Sequence, residues 1–127
     1  MTTAAERRAR IADAAISTLA KEGMRGLTHR AVDQAAELPQ GSCSYYFRTR
    51  QALLEATVAR LFELDTAALT PVSPMPEQFD LDLLVDLMTG FVERAATVDR
   101  ENLIARYELS LEATRRPELR ATLVDIG

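Results

Sequence analysis

Apolar residues recur along the chain at intervals of three and four, and nowhere do apolar and polar positions alternate over a sustained run. The first spacing lines one face of a helix, whereas the second would mark a strand. With no Asn-Gly hairpin signal, the pattern predicts an all-α fold. Thr3-Ala4-Ala5-Glu6 reads as a capping box, which satisfies free backbone donors at a helix start. Ile11, Ala15, Ile16 and Leu19 then form a stripe, and Gly23 stops the helix. Thr28 caps a second, short helix with Val32, Ala35 and Ala36 on its inner face. Leu38 precedes Pro39 and is pushed out of the α region, while proline suits a first helical turn. A third helix is therefore expected from about Pro39 to about Phe47. Thr49 caps a fourth, long helix with Leu53, Leu54, Val58, Leu61, Phe62, Leu64 and Leu69 as its apolar positions.

The stretch TPVSPMPE, residues 70–77, has three prolines and predicts a loop. It divides the chain into a head over 1–65, a proline-rich connection over 66–79 and a second helical part over 80–127. In that second part Leu84, Leu87, Met88, Phe91 and Ala95 predict one face of an amphipathic helix, and Leu103, Ile104, Tyr107 and Leu111 the face of the next. That helix should end before Pro117, the expected first position of a last helical segment.

Composition narrows the class. The chain has 127 residues, 47% of them hydrophobic and 27% charged, which are globular values for one domain or one small domain plus part of another. A single cysteine, Cys43, gives no internal disulfide framework. No apolar run approaches the roughly 20 residues that span a bilayer, and the basic start MTTAAERRAR lacks the apolar core of a signal peptide. The expectation is a soluble cytoplasmic protein with no membrane partner. The net charge of −4 is uneven. Residues 1–60 carry nine Lys and Arg against six Asp and Glu, a net +3; residues 61–127 carry six against 13, a net −7. The first part suits a polyanion and the second would be repelled by one, although a solvated surface also explains the difference.

The segment GSCSYYFRTR, residues 41–50, concentrates three of the chain's aromatic rings beside two arginines. Helix, short helix, tight turn and short helix make a helix-turn-helix, whose second helix enters the major groove of DNA. At about 100° per residue, Cys43 and Phe47 share a face, with Leu38 beside them. Tyr45 lies opposite, Ser42 and Ser44 flank, and Tyr46 sits at the margin. The outer set of Gln40, Gly41, Ser42, Ser44 and Tyr45 suits DNA. Glutamine pairs with adenine, serine bonds several bases, glycine permits close approach, and tyrosine hydroxyls bond phosphate. Arg50 at the start of the fourth helix, and Thr28, His29 and Arg30 at the start of the second, join backbone donors that can hold phosphates.

Residues 28–47, THRAVDQAAELPQGSCSYYF, followed by RTRQALLEA, resemble the DNA-binding domain of TetR-family bacterial regulators. Thr28, Val32, Ala36, Leu38, Gly41, Ser42, Tyr46, Phe47, Thr49, Arg50 and Leu53 match the family in type and spacing. The resemblance covers about residues 5–65, and ARYELSLEATRRPELRATL is similar to a ligand-domain helix of many members. It implies a three-helix DNA-binding head, a connecting helix and an incomplete helical domain for ligand and dimerisation. It also implies a homodimeric repressor that leaves operator DNA when a small-molecule effector binds. Gln40, Ser42 and Tyr45 would read bases, with Thr28, Arg30, Tyr46 and Arg50 anchoring phosphates. Three positions depart from the family: Glu37 for a turn glycine, Cys43 for a core leucine and Ser44 for a phosphate-binding tyrosine, whose contact Tyr45 or Tyr46 would supply. The sequence reaches VDIG before the pair of last helices with which the family dimerises, so a protein consisting of these residues alone is expected to dimerise poorly.

Other chemistries are weaker. Cys43 reads as an apolar filler before it reads as a redox switch. His29 has no Cys or His partner at ligand spacing, so no metal and no cofactor is expected. His29, Asp33 and Cys43 do not make an enzyme, since Cys43 points inward. Met88, Phe91 and Tyr107, with Met75 and Phe79, are candidates for the lining of an effector pocket, yet each is also ordinary core at helical spacing; Arg106, Glu108 and Glu112 are candidate polar determinants of that pocket, yet a solvated helix face explains them as well. The alternative to a DNA regulator is a helical protein–protein interaction module with a basic head.

Overall fold

The computed structural model describes residues 3–69, 77–78, 80–97 and 99–126. These form α1 (Ala4–Gly26), α2 (His29–Ala36), α3 (Ser42–Tyr46), α4 (Arg50–Leu69), α5 (Leu81–Ala96), α6 (Arg100–Ala113) and α7 (Pro117–Ile126). Local signals set most boundaries. The Thr3 hydroxyl accepts from the Glu6 amide at 3.1 Å while the Glu6 carboxylate accepts from the Thr3 amide at 3.2 Å. The hydroxyls of Thr28 and Thr49 accept from the amides of Ala31 and Ala52 at 3.1 and 3.0 Å. Gly23 breaks α1 with φ 73° and ψ −176°, leaving Met24–Gly26 as a separate turn. Pro117 opens α7.

One core runs from the head into α6 and α7. Ile11, Ala15, Ile16 and Leu19 of α1 pack with Leu27, Val32, Cys43, Leu53, Leu54, Val58 and Leu61, and the same cluster continues into Ala105, Leu109, Ala113 and Leu119. The contact between α1 and α6 is the most extensive in the fold. The second part thus lies against the head instead of hanging from α4. Arg60 fastens α4 to α1 through both oxygens of Asp13, at 2.7 and 3.2 Å, and also meets Glu63.

Several expectations are corrected. On α2 the inner residues are Val32, Asp33 and Ala36, while Ala35 is exposed. The third helix is only Ser42–Tyr46, because Gly41 is left-handed (φ 99°) and Pro39–Gly41 form a turn closed by the Ser42 amide on the Pro39 carbonyl. Helix α4 continues to Leu69, so residues 66–69 are helix and not connection. The proline loop itself, with Met75 and Phe79, falls almost wholly outside the described residues. On α6 the buried stripe is Ala105, Leu109 and Ala113, whereas Tyr107 and Leu111 face outward. The buried stripe sets Leu109 between two small alanines, and the larger Tyr107 and Leu111 are left on the other side. On α5 no described residue is buried, and the half-buried positions include Leu83 and Leu87 in place of Leu84, Met88 and Phe91.

The turn after α2 carries strain. Glu37 has φ 57° and ψ 43°, its amide donates to the Gln34 carbonyl, and the Leu38 amide donates back to the Asp33 carbonyl. That is the Schellman closure, which usually takes glycine at the left-handed position. A side chain there costs about 1 kcal/mol or more. Glu37→Gly is therefore expected to stabilise the fold by about 0.5–1 kcal/mol, after the added freedom of the unfolded chain is deducted. The midpoint of urea unfolding checks it, and a fall in midpoint contradicts it.

Candidate nucleic-acid interface

Helix α3 has five residues and cannot hold itself together by backbone bonds alone. Its start is held by Asp33, a residue of α2 that is 2% exposed. One carboxylate oxygen accepts from the Gly41 amide at 2.8 Å and the other from the Cys43 amide at 2.7 Å. Both are charge-assisted bonds in a shielded place, which makes them strong. Asp33 therefore fixes the distance and angle between α2 and α3, with its own carbonyl also taking the Leu38 amide. At the other end, a ring nitrogen of His29 donates to the Phe47 carbonyl at 2.8 Å.

Cys43 is fully buried below this cap. Burial pushes its thiol up to about 11, and the negative charge of Asp33 adds to the shift. At neutral pH it is a protonated apolar filler, not the thiolate that a redox switch needs. Phe47 and Leu38 pack half-buried against the same cluster.

The outer face of α3 and its turn presents Gln40, Gly41, Ser44 and Tyr45, all exposed, with Tyr45 at 75%. Tyr45 meets Tyr46 edge to face, with ring centres 5.0 Å apart at 86°. Tyr46 is half-buried and lies under the Arg8 guanidinium, 5.5 Å from its ring centre. Thr28 and Arg30 are exposed at the start of α2. Two expected contacts are otherwise engaged. The Ser42 hydroxyl donates to the Pro39 carbonyl at 2.6 Å. The Arg50 guanidinium donates to the carbonyls of Leu27 and Met24, the latter at 2.6 Å, and so ties the start of α4 to the end of α1. His29 likewise has a ring nitrogen turned inward.

The expected effector residues do not converge. Met88, Phe91 and Tyr107 are 58%, 67% and 62% exposed. Only Arg106 borders a cleft, of about 190 Å³, lined by Val58, Leu61, Phe62, Leu109, Leu123 and Ile126, where it pairs with Asp65. Sequence reasoning missed Asp33 as the clamp; the signal was an acidic residue between Val32 and Ala36 on the inner face of a short helix.

Residues 11–57 match the profile of bacterial regulatory proteins of the tetR family, and residues 79–127 that of the tetracyclin repressor-like C-terminal domain. The solved structure of a TetR-family member from Streptomyces coelicolor is 36% identical, with a TM-score of 0.68, and the match covers 94% of this chain and 70% of that one. The chain belongs to the TetR family. The multidrug binding protein EbrR complexed with ethidium is also 36% identical, with a TM-score of 0.73, over 94% of this chain and 69% of EbrR. The HTH-type transcriptional regulator BetI of Paraburkholderia phymatum is 38% identical over 64 residues, which are 50% of this chain and 33% of BetI. This TetR-family chain thus spans about a third of that curated relative and about two thirds of the solved structures. Among the described residues no helix is long and apolar enough to cross a membrane.

Asp33→Ala is expected to lower the unfolding free energy by about 2–3 kcal/mol, because the buried Cys43 amide and the partly shielded Gly41 amide both lose their acceptor. Asp33→Asn should cost less, since its amide oxygen still accepts from one of them. Urea unfolding measures both, and an unchanged midpoint for the alanine variant would remove Asp33 from its role.

Proposed function

We propose that this TetR-family chain is a ligand-responsive transcriptional repressor that binds operator DNA in the cytoplasm, with α3 in the major groove. The observation that carries the reading is the Asp33 cap, which holds a helix too short to stand alone while leaving Gln40, Gly41, Ser44 and Tyr45 facing outward. Gln40 and Ser44 supply donors and acceptors for base edges. Tyr45, Thr28 and Arg30 supply phosphate contacts, and Tyr46 lies beside them. Ser42 and Gly41 shape the turn. Arg50 acts here as a brace, which moves the phosphate role assigned from sequence onto other cations.

In this reading residues 1–65 are the DNA-binding head and residues 80–127 begin the effector domain. The effector site is the apolar cleft between α4, α6 and α7, with the Asp65–Arg106 pair at its edge. EbrR has been solved with ethidium, imidazole, proflavin and malachite green, and a small aromatic effector is the corresponding proposal for this chain. A homodimer would place two reading helices on one operator, and an effector that moves α6 against α1 would change their spacing. No catalytic step belongs to this function.

Gln40→Ala is expected to weaken binding to a selected operator duplex by about 1–3 kcal/mol and binding to random duplex far less. Fluorescence anisotropy with both duplexes measures the difference. Equal, weak binding of the unmodified protein to every duplex would favour a protein–protein interaction module instead.

A further inference from the structure

The basic half of the chain carries its charge unevenly once its contacts are followed. Arg60 is clasped by Asp13 and Glu63, Lys21 faces Glu101 at 3.8 Å, and Arg50 is engaged by two backbone carbonyls. A different situation holds at the start of α1, where the sequence reads Glu6-Arg7-Arg8-Ala9-Arg10. Glu6 stands four residues before Arg10, the spacing of a helical ion pair. Its carboxylate is instead turned to the Thr3 amide by the capping box. Among the described residues Arg7, Arg8 and Arg10 have no acidic partner.

Of these three, Arg8 is tied to the reading helix. Its guanidinium lies 5.5 Å from the centre of the Tyr46 ring, and Tyr46 stands edge-on to the exposed Tyr45. A guanidinium over a tyrosine face is held by the negative face of the ring, with its N–H donors left free at the rim. Those donors form a planar fork that fits phosphate oxygens. Arg8 itself is exposed. The arrangement places an uncompensated cation beside Tyr46 and the exposed Tyr45.

We propose that Arg8 is a phosphate-binding residue of the DNA interface, seated by the Tyr46 ring and kept free of internal ion pairs by the capping box. This rests on the DNA-binding reading of the chain. Arg8 contributes affinity that is independent of base sequence, and α1 thereby touches the duplex backbone beside α3. Tyr46 acts as a positioning residue for the guanidinium.

The test is a sodium chloride titration of binding to a short random-sequence duplex, followed by fluorescence anisotropy. Each phosphate contact adds about 0.9 to the slope of log affinity against log salt. Arg8→Ala and Arg8→Gln should each make the slope shallower by about 0.9 per bound head and weaken operator and random duplex by the same factor. Arg8→Lys should restore the slope, since the charge and its attraction to the ring are retained. Lys21→Ala, about 20 Å away along α1, should leave the slope as it is. Tyr46→Leu should lower the slope in the presence of Arg8 and change it less in its absence. A purely structural role for Arg8 would alter the unfolding midpoint without moving the salt slope, and that result overturns the proposal. A wild-type slope in both Arg8→Ala and Arg8→Gln overturns it too. Absence of any salt-dependent duplex binding by the unmodified protein overturns the DNA-binding reading itself.

Discussion

A single buried carboxylate organises the head. Asp33 is drawn out of water, which is costly unless every oxygen finds donors. The Gly41 and Cys43 amides are those donors, and they are the groups that a five-residue helix most needs to satisfy. The requirement runs both ways: α3 exists because Asp33 caps it, and Asp33 tolerates burial because α3 starts there. The left-handed Glu37 and Gly41 arise from the same constraint, since the chain must reverse within five residues to bring those amides back to Asp33. Cys43, beneath the cap, is consequently dry and protonated.

The head does not stand apart from the second helical part. Helix α6 lies on α1 through Ala105, Leu109 and Ala113, and the break at Gly23 lets the last turn of α1 bend beside it. Arg50 then grips that turn by the carbonyls of Met24 and Leu27 from the start of α4. Helix α6 is thus joined by packed side chains to α1, and the end of α1 by hydrogen bonds to the start of α4, while α1 also packs on α2.

The sequence was most informative where an interaction is local. Thr3, Thr28 and Thr49 cap helices through amides three residues away, Gly23 and Pro117 act on their own dihedrals, and the phase of Cys43 against Tyr45 lies within one helix. It was least informative where a partner is distant. Asp33 bonds amides eight and ten residues on, and nothing in spacing marks a lone acid as a cap for another helix. Arg50 reads as a phosphate ligand because a cation at a helix start suits one, while the carbonyls it meets lie 23 and 26 residues earlier. On α6 the periodicity of large residues pointed to Tyr107 and Leu111. The core took Ala105, Leu109 and Ala113 instead, and a pattern weighted by size passes over the two alanines. Met88 and Phe91 illustrate the same limit, since a stripe on a helix does not say which neighbour it meets.

The central claim, that Asp33 holds α3 in place, is tested most directly by native-state amide hydrogen exchange at Gly41 and Cys43. If the carboxylate accepts from both, their amides exchange only through an opening as costly as that of the α2 amides, although α3 is a single short turn. Exchange at the rate of an unprotected loop at both positions, in a protein whose α2 amides remain protected, would contradict the account.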